Sequence, residues 1–531
     1  MSLAFAPQIV PPDAPFTDAQ RAWLNRLFGE ALLRDMPPAS PVPPPPAEDD
    51  STPWKDPAMP LEARMGLAAS RPVRFRLMAA MAQQDCGQCG YTCADYSGAI
   101  FEQAEPRLNL CQPGGKATAR MLKTLVEEMG GGVIDPEAVA AKAAAAPRPA
   151  TAAPRPATAG RRGYCREMPV SARFVSRTRL NGPGSEKHTC HIDLDISDSG
   201  IAYTVGDSLG VLPRNDPVLA DAIIAAIGVP ADFPIAGEPF RQVLIERMAL
   251  GPAPDALFQF ISYLTGGARR KTAQALARGE DPDGDAAHLD VLGALQKFAG
   301  IHPDPEALIE VLEPLQPRLY SISSSPRTNP GRVSLTIDRV RYEALGRERL
   351  GVASGWLADR LETGAPIAVY VQQAHGFALP PSGETPIIMV GPGTGVAPFR
   401  AFLHERLATG ASGPAWLFFG HQREAADFFY ADEWAMFRHR GVLTQLSLAW
   451  SRDGAAKAYV QQRIREAGAE LFGWLERGAH FYVCGDATRM ARDVEAALRD
   501  VVAAHGAMSA DAAAAYVARL RAENRYQADV Y

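Results

Sequence analysis

Nowhere does this chain approach the roughly 18 uninterrupted apolar residues that a membrane-spanning helix needs. Its N-terminus, Met1-Ser-Leu-Ala-Phe-Ala-Pro7, lacks a basic region followed by an apolar core and does not read as a secretory signal, so a cytoplasmic location is expected. Excess positive charge is lacking too: a net charge of −6 and a pI near 6.0 leave no electrostatic case for nucleic-acid binding. Cysteine is scarce and unevenly placed. Of seven, Cys86, Cys89, Cys93 and Cys111 crowd together while Cys165, Cys190 and Cys484 are scattered. In a cytosolic chain such a cluster reads as a metal site rather than a disulfide framework.

With 531 residues the chain is too long for one ordinary core and suggests about three domains. Residues 1–60 form a proline-rich leader, within which Trp23, Leu24, Leu27, Phe28 and Leu32 recur at helical spacing behind Thr17-Asp18 and predict a helix over Phe16 to Leu33. Residues 61–130 hold the cysteine cluster between helical segments, the second from Thr118 to Met129. Residues 131–163 are Ala/Pro-rich, with Ala-Ala-Pro-Arg-Pro-Ala-Thr occurring twice (145–151 and 152–158), the composition of a semi-rigid linker. From 164 to 380, short β-type runs (Ala172 to Ser176, His191 to Ile196, Gly206 to Pro213, then Pro317 to Val371) enclose a mostly helical stretch at about 216–310. A β domain with a helical insert fits that order. From 381 to 531 strands and helices alternate, with strands expected at Trp416 to Phe419, Leu446 to Trp450 and Phe481 to Cys484. That is an open parallel sheet with its ligand at the carboxyl ends of the strands.

The C-terminal part is organised around Pro386-Ile-Ile-Met-Val-Gly-Pro-Gly-Thr-Gly-Val-Ala-Pro-Phe-Arg400. Ile387 to Val390 have the length of a strand, and Phe399, Phe402, Leu403 and Leu407 share one helical face, so Gly391, Gly393, Thr394 and Gly395 form the turn between them. Free N–H groups and a helix dipole at such a turn stabilise a pyrophosphate, which points to a dinucleotide. Upstream, Arg318-Leu319-Tyr320-Ser321 closes a β run. An arginine can grip a pyrophosphate, a tyrosine ring can stack on an isoalloxazine and a hydroxyl can reach its ring nitrogen; the alternative is a solvated serine turn. Gly351-Val352-Ala353-Ser354 supplies a second glycine turn.

These elements occur in one order with Phe418-Phe-Gly, Ser451-Arg-Asp, Lys457-Ala-Tyr-Val-Gln461, Tyr482-Val-Cys-Gly-Asp486 and the terminal Arg525-Tyr-Gln-Ala-Asp-Val-Tyr531. Over residues 164–531 the chain resembles the ferredoxin-NADP reductase-type module of diflavin reductases, in particular the flavoprotein subunits of assimilatory NADPH-sulfite reductases. The resemblance implies an FAD-binding β-barrel with a helical insert, followed by a parallel α/β NADP-binding sheet. It implies FAD contacts at Arg318 to Ser321, at Thr336, Ile337 and Asp338, at Tyr342 and at Gly351 to Ser354, with Tyr531 stacked on the flavin. Ser321, Cys484 and Asp529 match positions lining the nicotinamide, and with Tyr531 form the implied catalytic set. Ser451, Arg452, Lys457, Ala458, Tyr459, Val460 and Gln461, with Asp493, match the adenosine end. A hydroxyl and two cations there suit the 2′-phosphate of NADPH, whereas an NAD site would place a carboxylate against the free hydroxyl.

The departure from the family lies ahead of residue 164. A diflavin reductase carries a flavodoxin domain of about 150 residues there, and no flavodoxin-like phosphate loop occurs in residues 1–163, so FMN is expected to be absent. In its place Cys86-Gly-Gln-Cys89-Gly-Tyr-Thr-Cys93, with Cys111-Gln-Pro-Gly-Gly beyond, resembles small helical iron–sulfur domains of electron-transfer subunits. That resemblance implies a 4Fe-4S cluster on the four cysteines, although four thiolates also satisfy a structural zinc.

The expected function is an NADPH-dependent FAD oxidoreductase that passes electrons through the cluster to a partner redox subunit, a sirohaem sulfite reductase, with the linker letting the small domain swing between them. One alternative is a reductase component for an assimilatory nitrate reductase or a ferredoxin-like carrier. Another is an NADP(H)-sensing binding module with structural zinc.

Overall fold

The computed structural model describes Thr17 and residues 52–129, 161–374 and 376–531. The expected leader helix and the Ala/Pro repeat lie outside the described residues. The chain divides into two compact units, residues 1–53 and 54–531, and the second holds three successive domains. Among the described residues no helix is long and apolar enough to cross a membrane.

Four helices, Leu61–Ala68, Val73–Ala80, Cys93–Phe101 and Gly115–Glu128, make the cysteine-bearing domain. Leu77, Tyr96, Ile100, Leu110, Leu122 and Leu125 form its core. Thr92 starts the third helix by accepting from the N–H of Asp95 at 3.0 Å, an N-cap that leaves Cys93 at the first helical position.

The next domain is a six-stranded antiparallel sheet in the order Arg318–Ser321, Ser208–Val211, Pro366–Gln372, Val170–Arg179, Thr189–Asp195, Arg332–Asp338. A bridge between Ile322 and Leu335 joins the two outer strands, so the sheet closes into a barrel. Alternation explains the pleat: Cys190, Ile192 and Leu194 point into the barrel core while His191, Asp193 and Asp195 lie closer to solvent. Between Ser208–Val211 and Arg318–Ser321 the chain leaves to form a helical insert from Pro217–Ile227 to Pro305–Val311, with its own core around Leu244, Leu257, Phe258, Ile261 and Phe298.

The last domain is a five-stranded parallel sheet in the order Gln445–Trp450, Ala415–His421, Ile387–Val390, His480–Gly485, Tyr526–Val530. All four residues of Ile387–Val390 are buried, as a strand covered on both faces requires. The helix Ala397–Thr409 follows, with Pro398 in its first turn and Gly410 ending it in the left-handed region at φ 67°. Strand order reverses between Ile387–Val390 and His480–Gly485, and a sheet of this kind opens its crevice at such a reversal. The terminal strand Tyr526–Val530 has no apolar run to announce it; it forms because the hydrogen-bonding edge of His480–Gly485 is open to it.

The cysteine domain sits on the barrel and its insert. Arg120 makes a bidentate pair with Asp255 at 2.7 and 2.8 Å, and Lys116 donates to the carbonyl of Ala253. Arg166 donates to the carbonyl of Gln88 at 3.3 Å, and Gly87 faces the side chain of Gln372.

Candidate functional site

The strand reversal brings the expected nicotinamide residues together. Cys484 and Asp529 are register partners on adjacent parallel strands, and the Ser321 hydroxyl, at the end of a barrel strand, donates to Asp529 Oδ2 at 2.7 Å. Cys484 Sγ is 3.9 Å from the same oxygen. Burial raises the Asp529 carboxyl above its ordinary range, against hydrogen bonds from Ser321 and Cys484 that lower it. Burial likewise holds the Cys484 thiol well above its usual range, which keeps it neutral. Tyr320 precedes Ser321 in the chain, and Tyr531 lies two residues past Asp529. Tyr531 keeps 47% of its surface exposed and its hydroxyl meets that of Thr394 at 2.9 Å, tying the C-terminus to the glycine turn.

Within that turn the glycines have different jobs. A Cβ on Gly395 would lie 2.1 Å from the carbonyl oxygen of Cys484, and one on Gly391 would lie 2.5 Å from the carbonyl oxygen of Gly395. Both are demanded by the chain's own close packing. Gly393, at φ 59° and with only the His421 ring near at 3.9 Å, is the one of the three that leaves open space, where a phosphate could approach the backbone.

At the other end, Ser451 and Arg452 leave the strand Gln445–Trp450. Ser451 donates to the carbonyl of His421 at 3.2 Å, and the Arg452 guanidinium pairs with Glu186 of the barrel. Lys457 and Tyr459 are exposed, Ala458 is half-buried and Val460 is buried. Gln461 donates to Asp493 at 3.3 Å, joining the two helices that carry them.

The remaining residues expected at the flavin lie on the barrel. Thr336 meets the Tyr430 hydroxyl at 2.6 Å, Ile337 is buried, and Asp338 accepts from Lys187 and Thr189 at 3.1 and 3.2 Å. Tyr342 is exposed on the hairpin Arg341–Leu350. Gly351 donates to the carbonyl of Val340 and opens the short helical turn Val352–Gly355, where Ser354 accepts from the N–H of Val340. Arg318, beside Leu319 in the outer strand, donates to Gln112 of the cysteine domain at 3.2 Å.

Cys86, Cys89, Cys93 and Cys111 line one pocket, walled by Met81, Tyr91 and Tyr96. The Cys93 N–H donates to Asp85 at 2.7 Å, and Gly87 and Gly90 take positive φ to turn the loop. Arg64, 5% exposed, places a buried cation where Cys111 and Cys93 act on it electrostatically. Burial pushes the Cys86 thiol up to about 11 and the Cys93 thiol up to about 12, so as free thiols they are protonated. Among the described residues no group of three or more His, Cys, Asp or Glu side chains is placed to hold a metal ion as it stands. Four cysteines on one apolar-walled pocket beside a buried cation nevertheless suit a bulky anionic group held by thiolates.

Sequence reasoning missed what locks the barrel and the parallel-sheet domain together. Arg400 donates to the carbonyl of Ser323 at 2.8 Å, makes a bidentate pair with Glu433 at 2.8 Å, and lies over the Tyr430 ring. Tyr430 bonds His191 as well as Thr336, and Asp427 accepts from Asn181 and Ser185. Burial alone would raise Glu433, but hydrogen bonds from His404 and Arg400 bring it down from 4.5 to about 2. Its stabilising contribution is therefore complete above pH 4.5 and is lost as the pH falls toward 2. Arg400→Met is expected to cost about 3 kcal/mol, because it takes both guanidinium bonds from a partly buried carboxylate and leaves it only His404 of these two partners. Urea denaturation should show that loss near neutral pH and a shrinking difference from the parent as the pH falls from 4.5 toward 2, where the parent itself loses the pair.

Residues 164–295 and 252–356 match the FAD binding domain family, and residues 389–496 match the oxidoreductase NAD-binding domain family. The sulfite reductase [NADPH] flavoprotein alpha-component of Yersinia pestis bv. Antiqua is 43% identical over 372 residues, which cover 69% of this chain and 61% of that protein. The corresponding proteins of Cronobacter sakazakii and Klebsiella pneumoniae are also 43% identical, over 69% of this chain and 62% of theirs. The chain thus spans about three-fifths of the length of these relatives. Most of the barrel with its insert is thus similar to the FAD binding domains, most of the parallel sheet is similar to the oxidoreductase NAD-binding domains, and this chain carries both in one polypeptide.

Proposed function

We propose that the protein is an NADPH-dependent FAD oxidoreductase that delivers electrons through a 4Fe-4S cluster, without FMN, to a sirohaem sulfite reductase subunit reducing sulfite to sulfide. The observation that supports this role for the cysteine domain is its seat against the barrel strand Arg318–Ser321, whose residues are proposed to hold FAD. Gln112, next to Cys111, bonds Arg318, which stands two residues before Tyr320. The relatives' names support the choice of acceptor.

Bound at these sites, FAD would accept a hydride and give up its electrons singly, and a cluster would carry them one at a time. The chain's own residues do the rest. Arg318 and the turns at Gly351 and Gly393 would hold phosphates; Tyr320 and Tyr531 would flank the ring system. Ser321 and Cys484 would orient the nicotinamide, and the Asp529 carboxyl, its proton affinity raised by burial, accepts from the Ser321 hydroxyl at Oδ2. Cys86, Cys89, Cys93 and Cys111 would hold the cluster as thiolates, with Arg64 balancing its charge.

The reading is tested on anaerobically purified protein. One FAD, no FMN, and iron with acid-labile sulfide are expected, with a flavin band bleached by NADPH. A colourless protein that binds NADPH would favour the sensing module, and bleaching without transfer to a sirohaem partner would favour a different acceptor, a nitrate reductase or ferredoxin-like carrier.

A further inference from the structure

We infer that Glu186 is a specificity-determining residue of the nucleotide site, a carboxylate that occupies the Arg452 guanidinium until the 2′-phosphate of NADPH displaces it. The inference rests on the reading of Arg452 as the phosphate's partner. It adds a competitor supplied by the other domain.

Glu186 lies in the loop between the strands Val170–Arg179 and Thr189–Asp195, and this loop is pinned on both sides of it. Gly182 donates from its N–H to the carbonyl of Ala426 at 2.7 Å, and Asn181 and Ser185 donate to Asp427 at 2.8 and 2.5 Å. On the other side, Lys187 pairs with Asp338 at 3.1 Å. Glu186 is therefore presented to Arg452 rather than drifting near it. Arg452 is fixed in turn through its backbone: its N–H donates to the carbonyl of Gln422 at 2.9 Å, and its carbonyl accepts from Arg423 at 3.1 Å. Only the guanidinium is left to choose a partner.

Exposure decides how that choice falls. Glu186 is 64% and Arg452 39% exposed, so the pair is screened and exchanges readily. A phosphate dianion offers more charge and more acceptor oxygens than a carboxylate, and so displaces it. Because the loop is pinned, the displaced carboxylate stays close to the incoming phosphate and continues to oppose it. The pair thus lowers affinity for a 2′-phosphorylated nucleotide and leaves a nucleotide without that phosphate unaffected.

Calorimetric titration of the full-length protein with 2′,5′-ADP and with 5′-AMP tests this. Glu186→Gln is expected to bind 2′,5′-ADP about two- to fivefold more tightly than the parent at low ionic strength, the range an exposed ion pair supports. That gain should shrink with added salt, affinity for 5′-AMP should not move, and Glu186→Asp should behave like the parent. In an Arg452→Ala background the Glu186→Gln gain should vanish. If Arg452→Ala fails to weaken 2′,5′-ADP relative to 5′-AMP, the phosphate assignment of Arg452 falls and the inference with it. If Arg452→Ala does weaken 2′,5′-ADP but Glu186→Gln does not tighten it, or tightens both nucleotides equally, the competitor role alone is overturned.

Discussion

Replacing Cys89 with Ser is expected to abolish electron delivery to the protein partner while NADPH-to-ferricyanide activity survives. Hydride transfer brings two electrons at once, whereas haem and iron–sulfur acceptors take one, so the pair must be divided before it leaves the protein. On the proposed route ferricyanide would draw directly on the flavin and the protein partner on the cluster. The Cys89 thiol lies 3.5 Å from the carbonyl oxygen of Tyr91, and with Cys86, Cys93 and Cys111 it lines the pocket next to Gln112, the residue that bonds Arg318. Losing even a neighbour of a metal ligand costs about 10- to 100-fold in affinity or activity, so losing a ligand itself should exceed about a hundredfold. Partner reduction and ferricyanide reduction are measured on the same preparation, together with iron and acid-labile sulfide. Zinc without iron in the parent protein would sink the cluster assignment. An equal loss of both activities would show that Cys89 supports the fold rather than the electron path.

Arg452 and Lys457 carry the second large effect. Charge-assisted hydrogen bonds are worth about 1.5–3 kcal/mol each, so replacing both residues with Ala should raise KM for NADPH at least about 150-fold. Because Arg452 is already paired with Glu186, its own share falls toward the lower end of that range. KM for NADH, which has no 2′-phosphate, should stay nearly unchanged. Steady-state kinetics with both nucleotides checks this, and an equal loss for both would refute the assignment. The backbone hydrogen bonds that position Ser451 and Arg452 do not involve either side chain, so the loop should persist in the variant.

The parallel sheet was legible because its signals are local. Ile387 to Val390 announce a buried strand by an unbroken apolar run, and the glycines after them announce the turn within a few residues. The strands expected at Trp416, Leu446 and Phe481 lie inside Ala415–His421, Gln445–Trp450 and His480–Gly485. The helix expected from Thr118 begins three residues earlier, at Gly115. Tyr526–Val530 could not be read in this way because its strand character comes from a neighbour's open edge rather than from its own residues.

The amino-acid sequence by itself determined the order of domains, the glycine turn, the cysteine spacing and the residue types suited to FAD and NADPH, because each of these is written within one short segment. Only the tertiary structure decided which distant groups meet. Ser321 and Asp529 are 208 residues apart, Arg318 and Gln112 are 206, and Arg452 and Glu186 are 266. No local pattern encodes such pairs. Closure of the barrel and reversal of the strand order bring their segments together, and their energies depend on burial and screening that exist only once those surfaces have met.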